Sequence, residues 1–143
     1  MKVRRGTSAD LPRAIEIWRS AIDATHQFLS TADRSEIDVL VTEQFLPNVD
    51  LWIAADDADR PMALLVMEKA KIEALFVDPE AHGQGYGSLL VEHAASIEQS
   101  LTVDANEQAG NALAFYLSRG FHIVGRSPTD DQGRPYPLVH LAR

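Results

Sequence analysis

The sequence contains no cysteine. Disulfides, thiolate zinc sites and a cysteine nucleophile are therefore excluded, and so is group transfer through an enzyme thioester. No apolar run approaches the ~20 residues of a membrane-spanning helix. The opening Met1-Lys-Val-Arg-Arg-Gly-Thr-Ser8 lacks the apolar stretch of a signal peptide. The expected compartment is the cytoplasm, with no membrane partner. Positive charge is scarce: 13 Lys and Arg stand against 21 Asp and Glu, a formal net charge of −8. Phosphate backbones demand basic surface, so nucleic acid is not an expected partner. The acidic balance favours a cationic or amine substrate, although solubility alone is the simpler account of it. His93 and His140 are not spaced as a metal site with the other histidines, and no metal is expected.

The chain of 143 residues, 45% hydrophobic and 24% charged, fits one soluble globular domain spanning residues 1–143. Val3 to Arg5 reads as a first strand. Thr7 to Asp10 offers a helix start, and Leu11, Ile15, Trp18 and Ile22 recur at helical spacing. The polar junction Asp23 to Ser30 leads to a second helix with Ile37, Leu40, Val41 and Phe45, ending at Pro47. Leu51 to Ala55, Met62 to Met67 and Ile72 to Val77 read as strands with short links, hence an antiparallel meander. A helix with Leu90, Val91, Ala94 and Ile97 on one face follows. Next come a strand over Leu101 to Asp104 and a helix over Asn111 to Arg119. Gly120 is placed just past that helix, with Phe121 packing back on it. Strands over Phe121 to Arg126 and Leu138 to Leu141 close the chain. The order β-α-α-β-β-β-α-β-α-β-β predicts a mixed α/β sheet with helices on both faces.

The densest signal is Ile72-Glu-Ala-Leu-Phe-Val-Asp-Pro-Glu-Ala-His-Gly-Gln-Gly-Tyr-Gly-Ser-Leu-Leu90. A strand runs into Gly83, Gly85 and Gly87, and a helix opens without a gap. The first turn of a helix leaves N–H groups unpartnered, and the macrodipole adds about half a positive charge there. A phosphate fits such a place. Between Asp78 and Ser118 there is no Lys and no Arg, so backbone amides must do most of the holding, with His82 the nearby side chain able to add charge. A dinucleotide fingerprint would need Gly or Ala where Ser88 stands, after the first strand of its fold. A Walker loop would need Gly-Lys-Ser/Thr, which is absent.

The segment His82-Gly-Gln-Gly85-Tyr-Gly87 resembles the cofactor loop of the GCN5-related N-acetyltransferases, with His82 in place of their Arg or Gln. Asn106 and the later Ala112, Tyr116 and Gly120-Phe121 resemble that family's second signature in the same order. Asp23 to Ser30 and Gly133 to Leu138 are similar to a small bacterial subgroup of it. The resemblance runs over nearly the whole chain. It implies acetyl-CoA as co-substrate, lying between splayed fourth and fifth strands. The implied cofactor contacts are Leu75, Phe76, Val77, His82, Gly83, Gln84, Gly85, Tyr86, Gly87, Ser88, Asn106, Asn111 and Tyr116. The implied reaction is attack of a primary amine on the thioester in a ternary complex. A homodimer through edge strands stays open.

Amine acetylation sets chemical needs. The carbonyl oxygen needs a donor as it gains charge, and a fourth-strand N–H at Leu75 or Phe76 is the candidate. The departing thiolate needs a proton, and Tyr116, a phenol, can give one; Tyr116 also reads as a core partner of Phe115. The amine must lose a proton, and Glu73, placed by strict alternation on the face of Leu75 and Val77, can take it directly or through water, or simply be solvated. His26, Phe28 and Tyr136 are candidates for the acceptor pocket, although His26 also reads as a surface or capping residue and Tyr136 as the lead into an edge strand. The acceptor is a small-molecule amine or a protein amine. The alternative is a non-catalytic acyl-CoA-binding module, which would need neither Tyr116 nor an acceptor pocket.

Overall fold

The computed structural model describes residues 1–143. Its elements are β1 (Lys2–Arg5), α1 (Leu11–Thr25), α2 (Thr31–Val39), β2 (Trp52–Ala55), β3 (Pro61–Glu68), β4 (Lys71–Val77), α3 (Tyr86–Ile97), β5 (Thr102–Asn106), α4 (Gly110–Ser118), β6 (His122–Ser127) and β7 (Leu138–Ala142). The order is the one the sequence predicts. The strands form one sheet ordered β1-β2-β3-β4-β5-β7-β6. β4 and β5 run parallel, and the other neighbouring pairs are antiparallel.

Alternation along the strands builds a core on each face. Leu64 and Val66 of β3 meet Ala14, Ile17, Trp18 and Ile22 of α1. Ala63 and Leu65 of the same strand meet Leu90, Val91 and Ala94 of α3. Ser30 starts α2 by accepting the Asp33 N–H at 3.1 Å, which supplies an N-cap. The expected end of this helix at Pro47 is more gradual. A π-helical stretch covers Leu40–Phe45, and a 3-10 turn covers Leu46–Asn48. Pro47 lies in that tighter turn, where its missing N–H removes no α-helical bond. The fifth strand starts at Thr102 rather than Leu101 and reaches Asn106 instead of stopping at Asp104. Gly120, at φ 91°, ends α4 as expected, and the Phe121 N–H returns to the Tyr116 carbonyl at 3.1 Å. No helix is long and apolar enough to cross a membrane.

Two features of β4 open the sheet. Val66 pairs with Ala74 but Met67 pairs with Ile72, so Glu73 is the extra residue of a bulge. β4 also pairs with β5 only at Lys71↔Thr102 and Ile72↔Val103. Beyond that point the strands diverge, and one edge of Glu73 to Val77 has no partner strand.

His93 of α3 carries a titration signature. Its ring packs against Trp52 at 4.1 Å, and its Nε2 is buried without a partner. Burial first, then the charge of Arg5, lowers its pKa below 6.5. The unfolded chain therefore binds more protons than the fold as pH drops below that value, and stability falls with it. His93→Leu is expected to flatten this slope in urea melts between about pH 5 and 7; an unchanged slope would assign it to other groups, His26 first.

Candidate active site

The site is built where β4 leaves β5 and runs into α3. Asp78 ends the strand. It is 6% exposed and accepts the Glu80 N–H at 2.9 Å and Arg13 Nη2 at 2.6 Å. Burial raises its pKa, but those donors outweigh burial and hold it below 3.8. This anchor fixes the entry to the glycine loop. Gly83 and Gly85 take φ 78° and 96°, in the left-handed region open to glycine. A Cβ on either would meet nothing within 4 Å, so the space above them is open. At Gly87 a Cβ would stand 3.3 Å from Phe115 Cζ, so glycine there lets α4 approach. The N–H groups of Gly83, Gly85, Tyr86, Gly87 and Ser88 donate to no carbonyl; the first bond of the helix is Leu89 N–H to Gly85 O at 3.0 Å. These amides, with open space before them, suit a diphosphate.

A cavity of about 400 Å³ runs from this turn along the open edge of β4. His82, Gly83, Gly85, Tyr86, Gly87 and Ser88 line one end, and Leu75, Phe76, Val77, Asn111 and Tyr116 line the other. Gln84 is exposed and does not line this cavity; its N–H turns back to Ala81 O at 3.4 Å. A narrower cleft of about 110 Å³ continues between β4 and β5 and joins Glu73, Leu75, Asn106, Tyr116 and His26. The Asn106 side chain accepts the Gln108 N–H at 3.0 Å, shaping the turn into α4.

Main-chain direction along β4 follows from one bond. Asp78 N–H donates to Met62 O at 2.8 Å, in register with the Leu64↔Phe76 pair. With a period of two, Phe76 N–H also faces β3, while Leu75 and Val77 present theirs to the gap. Of the two amides expected to meet the carbonyl oxygen, Leu75 is free and Phe76 is not. The bulge also corrects the placement of Glu73. Leu75 and Val77 pack with Ile72 toward α3. Glu73 instead lines a second cavity with Ile37, Leu40, Val41 and Phe45, on the α2 side. It still borders the narrow cleft.

Tyr116 is 6% exposed and packs edge-on to Phe115 and Phe121, with centroids 5.3 Å away in each case. It is packed as a core partner of Phe115 and also lines both the main cavity and the cleft. Burial pushes its pKa well above the ordinary value. Of the three residues expected in the acceptor pocket, His26 lines the main cavity and the cleft, and the other two pack onto it in series. Phe28 bridges His26 at 5.2 Å and Tyr136 at 5.8 Å. The Tyr136 hydroxyl donates to Asp33 and accepts Ser30 N–H at 3.2 Å, tying the β6–β7 loop to the start of α2. The Thr25 hydroxyl donates to Ala21 O at 2.7 Å, so at its 2.7 Å contact with His26 Nδ1 it is the ring that donates. His26 Nε2 is then left with a lone pair, and burial lowers the ring's pKa.

Arg119 was not foreseen. The stretch from Asp78 to Ser118 lacks positive side chains, but Arg119 follows it immediately and folds back onto the first turn of α3. Its Nη1 reaches Ser88 Oγ at 3.3 Å, and its Nε is buried without a partner. The only sequence signal was its place just before Gly120, at the end of the helix that carries Tyr116.

A mixed sheet splayed between its fourth and fifth strands, with a glycine turn opening the next helix, defines the acetyl-CoA-dependent N-acetyltransferases. The Acetyltransferase (GNAT) domain family matches residues 47–123. The peptidyl-lysine N-acetyltransferase YjaB of Salmonella typhimurium is 44% identical, over 99% of this chain and 97% of that protein. YjaB of Escherichia coli is 42% identical, over 99% and 96%. The solution structure of its apo form superposes with TM-score 0.93, covering 99% of this chain and 95% of that one. The chain belongs to the GCN5-related N-acetyltransferase family, and it is an acyltransferase that draws on acetyl-CoA.

Proposed function

We propose that the acceptor is the side-chain amine of lysine in a protein or peptide. The observation that carries this reading is the second cavity, of about 370 Å³, which shares Ile72, Glu73 and Asp104 with the cleft reaching Tyr116. Its walls are aliphatic and aromatic at Ile37, Leu40, Val41, Phe45 and Leu138, and acidic at Glu73, Asp104, Asp130 and Asp131. Its cations are already paired: Lys71 holds Asp104 at 3.0 Å, and Arg134 faces Asp33, Glu36 and Asp130. Those pairs use up Asp104 and Asp130 and leave Glu73 and Asp131 without a cation, and an apolar sleeve with two such carboxylates suits an aliphatic stem ending in an ammonium. The names of the YjaB relatives agree with that substrate class.

In this reading the amides of Gly83, Gly85, Tyr86, Gly87 and Ser88 hold the diphosphate, with Arg119 behind Ser88 and His82 at the rim adding positive character. Leu75 and Val77 offer main-chain groups to the pantetheine amides, Asn111 borders its path, and Leu75 N–H faces the thioester oxygen. Acetyl-CoA supplies the activated acetyl group. Glu73 draws in the ammonium, and His26 Nε2, neutral because burial disfavours its charge, accepts the proton the amine gives up. Tyr116 gives a proton to the departing sulfur. His26 borders the cleft, with Phe28 and then Tyr136 packed behind its ring.

The test is thiol release and peptide mass spectrometry with acetyl-CoA and an N-terminally blocked, lysine-containing peptide, beside free polyamines. Acetylation of the peptide lysine is expected; turnover of polyamine alone would overturn the assignment. Glu73→Gln is expected to raise the acceptor KM roughly 10–100-fold, from the ~1.5–3 kcal/mol of a charge-assisted hydrogen bond, with KM for acetyl-CoA unchanged. An unaltered acceptor KM would leave Glu73 a solvated carboxylate.

A further inference from the structure

Across the β5–β7–β6 end of the sheet, three strands bring together side chains that acetyl transfer does not use as a set. Asp104 and His140 are directly opposed on β5 and β7. His140 Nδ1 lies 2.6 Å from Asp104 Oδ1, and His140 Nε2 lies 2.6 Å from Ser127 Oγ. Lys71 Nζ holds the other oxygen of Asp104 at 3.0 Å.

The partners dictate the proton positions. An ionised carboxylate only accepts, so Nδ1 carries the ring proton, Nε2 presents its lone pair, and the Ser127 O–H donates to it. Gly125 makes the arrangement possible. It faces His140 in the ladder, and a Cβ there would stand 3.4 Å from His140 Cδ2. The site is open to solvent on one side: β6 is the edge strand, Ser127 is half-buried, and the His140 side chain is 33% exposed.

We propose that Ser127 is an activated nucleophile with His140 as its base and Asp104 orienting the ring, and that this second centre hydrolyses small activated esters. Ser127 Oγ bonds to the ester carbonyl carbon as His140 Nε2 takes its proton. The bond from that carbon to the phenolic oxygen breaks, and the phenol leaves with the proton. Water, deprotonated by His140, then frees the acyl group as a carboxylic acid, and Ser127 regains its proton. Serine, base and orienting acid within hydrogen-bond reach are the recurring geometry of such chemistry. The proposal assigns Ser127 no oxyanion donor, and a missing one costs ~10²–10³ in rate. The substrate class is therefore aryl esters and other esters with good leaving groups, not amides.

The test uses the whole protein with diisopropyl fluorophosphate and, separately, p-nitrophenyl acetate. Expected are a diisopropylphosphoryl adduct on Ser127 in peptide mass spectra, with loss of fluoride, and p-nitrophenol release above the buffer rate. Ser127→Ala is expected to lose both while acetyl transfer stays intact, which shows that the fold survives. His140→Gln is expected to slow labelling of Ser127 by about 10²–10⁴-fold. Absence of an adduct on Ser127, or p-nitrophenyl acetate hydrolysis undiminished in Ser127→Ala, would overturn the proposal and leave the trio a polar stitch between strands.

Discussion

Tyr116→Phe is expected to lower kcat for acetyl transfer by about 10²–10⁴-fold while leaving CoA affinity nearly unchanged. The substitution removes one oxygen and little else. Phe115 and Phe121 meet the Tyr116 ring edge-on at 5.3 Å, and a phenyl ring keeps both contacts. What disappears is the hydroxyl at the wall shared by the main cavity and the cleft. Burial keeps that hydroxyl protonated well past neutral pH, so it is available as a donor throughout the working range. Single-turnover thiol release at saturating acetyl-CoA isolates the step. A rate equal to that of the unmodified protein would mean that the thiolate leaves unassisted, as a thiol of ordinary pKa near 8.5 permits, and would return Tyr116 to a packing role.

Asp78→Ala is expected to cost about 3–5 kcal/mol, the range for removing one partner of a buried ion pair. For a chain of this size that corresponds to a fall in Tm of roughly 10–17 °C. Asp78 is the one polar or charged residue among the buried set. Losing its carboxylate leaves Arg13 without its 2.6 Å partner and frees the Glu80 N–H where the chain turns toward the glycines. CoA affinity is expected to fall as well, because the loop loses its fixed entry. The carboxyl titrates below its usual 3.8 in the fold. Its stabilisation is thus full above the unfolded value and lost as pH falls through the lower, folded one. Thermal melts at pH 7 decide the point: a shift under ~2 °C would mean that the 3-10 turn and the Arg13 bond to Pro61 O suffice without the carboxylate.

Local patterns in the chain reached the order of elements and the glycine turn because both are written in neighbouring residues. Helical spacing marks α1 and α3, and Gly83, Gly85 and Gly87 mark the loop. Glu73 shows where such reasoning stops. Simple alternation put it beside Leu75, but the bulge that moves it to the α2 side is set by pairing between β4 and β3. The choice between Leu75 and Phe76 amides was closed to the sequence for the same reason: it depends on which edge of β4 is bonded. Arg119 reaches Ser88 through the packing of two helices, and a one-dimensional scan for charge near the loop passes over it. Ser127, Asp104 and His140 meet because β7 inserts between β5 and β6, an order that chain position does not reveal. Gln84 lies inside the motif, yet it is exposed and is not among the residues lining the main cavity.

The most direct measurement of how the cofactor is held is a ¹H–¹⁵N amide titration of the intact protein with CoA. The expected result is that the largest shifts fall on Gly83, Gly85, Tyr86, Gly87 and Ser88, whose N–H groups donate to no carbonyl in the fold, with Leu75 and Val77 following. Saturable CoA binding that leaves those amides unmoved would contradict it.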